Sequence, residues 1–147
     1  ISICQAICYI HGQSPVIVHG DLKPSNIMVH AEHGVKLLDF GLSRLLTKSV
    51  ESLGGTMAWM APEVLSGRCS KPKPSVDVFA FARISYLVFV GKSPVGNVPP
   101  KILRRMALEG KVPRLEWPEE QQFHKFQSVA SQCVAFQADS RPTIFEV

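Results

Sequence analysis

The 147 residues contain no Cys-x-x-Cys pair, and the four cysteines, at positions 4, 8, 69 and 133, join no histidine at zinc-ligand spacing. That argues against zinc-ribbon and dithiol-redox chemistry. Cys4 and Cys8, four apart, share a helix face and read as small apolar core residues in a reducing compartment. A concentrated charge of one sign is also missing. Lys plus Arg number 16 against 12 Asp plus Glu, and the resulting net charge of +4 divides evenly between the two halves of the chain. The densest basic clusters are Lys71 with Lys73 and Arg104 with Arg105, too sparse for the stripe that binds nucleic acid or an anionic membrane. No apolar run is long enough to span a bilayer. The longest, Val76 to Val90, contains Asp77 and Arg83 and falls short of the roughly 20 residues required. Ile1 opens the chain without an initiator Met or a signal-like stretch, so any targeting information is expected to lie outside these residues.

What is present is a globular composition, 46% hydrophobic and 19% charged. A chain of this size buries roughly two thirds of its unfolded surface and needs no staples. Ile3, Ile7 and Ile10 fall on one stripe and predict a helix ending near Ile10, stopped by Gly12 to Pro15. Val16 to Val18 reads as a short strand. Ile27 to Val29 and Val35 to Leu38, joined by a turn through Gly34, read as a β-hairpin. Residues 41–56, rich in Gly, Ser and Thr and without a period, predict a long functional loop. From Ala61 onward the pattern turns helical. Val76 to Val90, apolar nearly all round, predicts a buried central helix. Pro99 to Glu109 predicts a helix with Ile102, Leu103 and Met106 inward. Glu119 to Phe136 predicts another with Phe123, Phe126, Val129, Ala130 and Cys133 inward. Pro142 opens what reads as one more helix.

The densest chemical signal is His19-Gly20-Asp21-Leu22-Lys23-Pro24-Ser25-Asn26, followed after the hairpin by Asp39-Phe40-Gly41. Two carboxylates, an amide and an ammonium are thereby brought to the ends of neighbouring strands. Phosphoryl transfer calls for such a set, because it is mostly positioning and neutralisation of a spread negative charge. A carboxylate must accept the attacking hydroxyl's proton, and hard oxygen donors must hold Mg²⁺ on the phosphates.

These motifs resemble the eukaryotic protein kinases: H-x-D-L-x-x-x-N, then D-F-G, then Ala61-Pro62-Glu63 for A-P-E, in the family's order. Asp77 at the start of the central helix and Asp139-Ser140-Arg141-Pro142 extend the likeness over the whole chain. It implies a mainly α fold, the C-terminal lobe of a protein kinase: a helical bundle around a buried central helix, with a small hairpin beside the catalytic loop and the N-terminal lobe absent. Residues 1–147 would be one partial kinase domain. The resemblance further implies Asp21 as catalytic base and Lys23 as the group steadying the transferring phosphate. Asn26 and Asp39 would be Mg²⁺ ligands, and Met28 would line the floor of the adenine site, so that ATP and Mg²⁺ are the expected cofactors. His19 and Phe40 would stack, Asp77 would anchor the catalytic loop's backbone, and Glu63 would pair with Arg141. Lys23 and Thr56 match the serine/threonine type, and Gly-Thr-x-x-Trp-Met-Ala-Pro-Glu looks most like its tyrosine-kinase-like group. Protein substrates with Ser or Thr acceptors and an intracellular, cytoplasmic location follow from the same likeness.

The sequence departs from the family in three places. Gly20 stands where an Arg usually lies, removing the natural partner of a phosphate on the following loop, with Thr47, Ser49 and Ser52 the candidate sites. Ala82, where Gly is common, has a charged neighbour in Arg83. No G-x-G-x-x-G loop, V-A-I-K lysine or partner glutamate helix occurs, so the chain alone is expected to bind ATP weakly. The alternative in a different class is a kinase-like scaffold or pseudokinase binding module without the N-terminal lobe.

Overall fold

A computed structural model describes residues 2–32, 34–40, 54–69, 71 and 73–147. The described residues are mainly helical, with one two-stranded antiparallel sheet among them. Helix α1 (Ile3–His11) is opened by a capping box, in which Gln5 N donates to Ser2 Oγ at 3.2 Å and Ser2 N donates to Gln5 Oε1 at 2.8 Å. Its buried stripe carries Ile7 and Ile10, with Ile3 packed at its edge.

No strand forms at Val16 to Val18. Val16 and Ile17 are exposed, and the segment is fixed by Ile17 N donating to Ile10 O at 3.1 Å. β-branched residues favour extended backbone, but without a neighbouring strand the preference gives no ladder. The hairpin is as expected within a residue: β1 (Ile27–His30) pairs with β2 (Gly34–Leu37), with Ile27 opposite Leu37 and Met28 opposite Lys36. The loop expected over residues 41–56 lies outside the described residues as far as 53. Residues 54–58 form a short 3₁₀ turn.

Helix α2 (Pro62–Leu65) precedes the central helix α3 (Pro74–Val90). α3 starts at a proline, whose missing N–H would be unpaired there anyway. It ends at Gly91, whose φ of 71° allows its N–H to close on Leu87 O at 2.8 Å. One side of α3 packs Val78, Ala82, Ile84 and Tyr86 against α1 and the last helix. Another packs Val76 and Phe79 against Met57, Met60, Val64 and Leu65. A helix serving two cores must be apolar around most of its circumference, which is why it shows no amphipathic period. Only near its C-terminal end do Val88 and Phe89 emerge.

Helix α4 (Pro100–Leu108) buries Leu103 and Ala107, with Ile102 and Met106 only half-buried. Helix α5 (His124–Cys133) is shorter than expected. A 3₁₀ turn over Gln121–Phe123 precedes it, and of the predicted inward residues only Ala130 and Cys133 are buried. Phe126 and Val129 are instead exposed at 45% and 38%. They lie where α3 itself emerges, and Phe126 stacks on Phe89 at 4.1 Å. The helix expected after Pro142 is a single 3₁₀ turn, Ile144–Glu146, capped by Thr143 N donating to Glu146 Oε2 at 2.7 Å.

Candidate active site

The loop between α1 and β1 is nailed to the central helix by one buried carboxylate. Asp77, 1% exposed, accepts from His19 N at 2.8 Å, from Gly20 N at 2.8 Å and from His11 Nε2 at 2.9 Å. Three donors meet the requirement of an enclosed carboxylate, so its burial is compatible with an apolar helix. Gly20 takes a φ of 77°, a left-handed backbone that glycine enters without steric penalty. Asp77 thus holds the loop as the resemblance implies. His11 was not read from the sequence as part of this arrangement. The available signal was its place four residues after Ile7 on the buried stripe.

His19, fully enclosed, has a determined tautomer. Its Nδ1 accepts from Asp21 N at 3.3 Å, so Nε2 carries the proton and donates to Leu38 O at 2.8 Å. Its ring meets Phe40 at 4.9 Å. Leu38 N in turn donates to Asn26 O at 2.8 Å. Both chain neighbours of Asp39 are therefore tied to the 19–26 loop, and Asp39 itself is exposed between them with a φ of 60°. A non-glycine residue in that region is held there by its surroundings, a condition concentrated at functional sites.

Asp21 is 6% exposed and sits at the centre of a polar group. Lys23 Nζ donates to its Oδ2 at 2.7 Å and to Thr56 Oγ1 at 3.3 Å. Asn26 Nδ2 donates to the Asp21 main-chain oxygen at 2.9 Å and to Oδ2 at 3.2 Å. Both side-chain bonds of Asn26 thus use its nitrogen, and no described residue donates to its Oδ1, a hard oxygen donor left for a cation. The Pro24–Asn26 3₁₀ turn delivers this geometry: Asn26 N closes on Lys23 O at 2.9 Å and folds the amide back under Asp21. Met28 stands on β1, 47% exposed. Asp21, Lys23 and Asn26 are thus brought into contact, with Asp39 set on the adjoining segment and Met28 on the next strand.

Behind the site, Arg141 and Glu63 form a bidentate pair at 2.8 and 2.8 Å, with the Arg141 side chain 0% exposed. The crevice beside Asp21 is small, about 10 Å³, lined by Gly20, Leu22, Thr56 and Trp59. A much larger cavity, about 410 Å³, shares no residue with the Asp21 group. It lies between α1, α3 and α5, and its walls are almost wholly apolar. The candidate site is therefore picked out by converging polar groups and not by cavity size.

The protein kinase domain family matches residues 1–147. A probable serine/threonine-protein kinase of Dictyostelium discoideum is 31% identical over 151 aligned residues, covering 100% of this chain and 14% of that protein. Serine/threonine-protein kinase CTR1 of Arabidopsis thaliana is 40% identical over 120 residues, 79% of this chain and 14% of its own length. Receptor-interacting serine/threonine-protein kinase 1 of Homo sapiens is 32% identical over 113 residues, 66% of this chain and 16% of its length. The chain thus spans about a sixth or less of these relatives.

Proposed function

This chain belongs to the protein kinase family, and we propose that it supplies the C-terminal lobe of an ATP-dependent serine/threonine protein kinase, most like the tyrosine-kinase-like group, working in the cytoplasm. Residues 1–147 act as part of a longer catalytic domain. The Gly-rich loop and strand lysine that cover ATP are not among them. The observation that carries this reading is the Asp21–Lys23–Asn26 contact set, with Asp39 next to Leu38, which is bonded to Asn26 and His19.

In the reaction Asp21 takes the proton from the Ser or Thr hydroxyl of the protein substrate. Lys23 and Asn26 already occupy its Oδ2, which leaves Oδ1 to face the acceptor. Lys23, bridging Asp21 and Thr56, holds positive charge where the γ-phosphoryl group passes. Asn26 Oδ1 and the Asp39 carboxylate fit Mg²⁺, a hard cation bound by one or two protein oxygens together with phosphate and water. When bound, that ion neutralises the charge that builds on the phosphate oxygens. Met28 offers its apolar side chain to the adenine. The hydrogen bonds around Leu38 keep Asp39 in register with the loop.

The test is transfer of the terminal phosphate of labelled ATP to a Ser/Thr protein substrate by the longest natural protein containing these residues, against its Asp21→Asn variant. Loss of the general base should lower kcat by about 10²- to 10⁴-fold. Equal rates in the two proteins would refute the assignment. Absence of transfer in both, with partner binding retained, would favour the scaffold alternative.

A further inference from the structure

One charged side chain in the core lies outside this contact set and has no counter-ion among the described residues. Arg83 lies midway along α3 and is 1% exposed. The described residues place no carboxylate within 4 Å of it. Among the described residues its one hydrogen bond runs from Nη1 to Ala58 O at 2.7 Å, and its buried Nε has no partner. Its guanidinium carbon lies 4.4 Å from the centroid of the Phe79 ring, and that of Arg141 lies 4.9 Å from the same centroid. Burial first, and the neighbouring charge of Arg141 second, push its pKa down to about 9. Such a group destabilises the core unless it does something an apolar residue could not. Helix α3 is apolar on nearly every side, so a Val or Met at this position would suit packing better.

The bond to Ala58 shows what it does. Ala58 ends the 3₁₀ turn Gly54–Ala58, and Trp59 N closes on Thr56 O at 3.0 Å. Thr56 in turn accepts from Lys23, which holds Asp21. Arg83 is therefore joined to the central helix at one end and, through Ala58 and Thr56, to the proposed catalytic pair at the other. We infer that Arg83 is a positioning residue: it clamps the 54–58 turn to the rigid central helix so that Thr56 keeps Lys23 and Asp21 aligned for the acceptor hydroxyl of a protein substrate. This rests on the kinase reading above. A Lys could reach the carbonyl but would lack the flat face that lies on Phe79.

The experiment uses the longest natural protein carrying these residues, as wild type, Arg83→Val, Arg83→Met and Arg83→Lys. Two readouts are taken: steady-state phosphate transfer, and amide hydrogen exchange across residues 54–60. The clamp predicts that Arg83→Val and Arg83→Met keep or raise the melting temperature while kcat falls about tenfold. The KM for ATP should hold, exchange at Trp59 and Met60 should quicken, and Arg83→Lys should recover part of the rate. Stability and rate moving in opposite directions is something a merely structural residue cannot produce. Wild-type kcat with unchanged exchange in the Val and Met variants would overturn the inference, as would unfolding of both. If even the wild type transfers no phosphate, the kinase reading fails, and the exchange readout still decides whether Arg83 holds the turn.

Discussion

Replacing Arg141 with Met removes a guanidinium whose donors all have acceptors. Nη1 and Nη2 reach the two oxygens of Glu63 at 2.8 and 2.8 Å. The remaining bonds go to Ala135 O at 2.8 Å, Ser75 O at 2.9 Å and Phe136 O at 3.2 Å. Met fills much of the vacated volume, so the loss is chiefly polar. It strands one carboxylate and three main-chain oxygens. Breaking a buried ion pair by deleting one partner costs about 3–5 kcal/mol. The Glu63 side chain keeps 21% of its surface in water and can recover part of its hydration, which favours the lower end of that range. For a domain of this size each kcal/mol moves the midpoint by roughly 2–4 °C, so calorimetry should record a fall of about 6–15 °C. The double variant Arg141→Met/Glu63→Met should cost less than the sum of its two single changes, because no charge is left stranded. A shift under about 2 °C for Arg141→Met, or strict additivity in the cycle, would refute the reasoning.

Gly20→Ala introduces a Cβ at a φ of 77° and should destabilise the folded state by about 1–2 kcal/mol in urea titration. No loss would mean that the loop shifts out of the left-handed region. Cys133, 1% exposed, has its thiol pushed up by burial to about 11 from an ordinary value of 9.0. Below pH 9 the thiol is protonated in both the folded and the unfolded chain. From pH 9 toward 11 only the unfolded chain gives up the proton, so stability falls as pH rises, by about 2–3 kcal/mol overall. Denaturation midpoints over pH 8 to 10.5 should therefore decline more steeply for wild type than for Cys133→Ala. Parallel profiles would contradict the assignment, and Arg83, common to both proteins, drops out of the comparison.

The fold was legible where a single local rule acted. Fifteen residues without a polar period could only be a helix buried on most sides, and the lone Asp77 within them had to find donors, which the loop amides provide. Glu63 and Arg141, 78 positions apart, were found through motif resemblance, since no periodicity links them. Legibility failed where tertiary neighbours decide. Val16 to Val18 has strand residues but no strand beside it among the described residues. The stripe through Phe126 and Val129 has helical spacing but lies on the emerging end of α3, where Phe126 stacks on the exposed Phe89, and it stays exposed. In the site, residue types and spacing indicated Asp21, Lys23, Asn26 and Asp39, whereas His11 and the Lys23–Thr56 bond depend on how distant segments meet.

Phe79 shows why composition alone cannot rank the buried charges. Two guanidinium groups lie within 5 Å of its ring centroid, each gaining a cation–π attraction of roughly 1–2 kcal/mol when desolvated. That gain is similar for both, so it does not distinguish them. Their hydrogen-bond partners do. Arg141 has a carboxylate and three carbonyls, and its removal strands acceptors. Arg83 has one carbonyl and an idle Nε, and its removal strands almost nothing while relieving repulsion between the two cations. The same substitution to Met, made at two positions beside one ring, should therefore change stability in opposite directions: downward at 141, level or upward at 83. Only the second should change the rate out of proportion to its effect on the fold, because only Arg83 is joined through the 54–58 turn to Lys23 and Asp21.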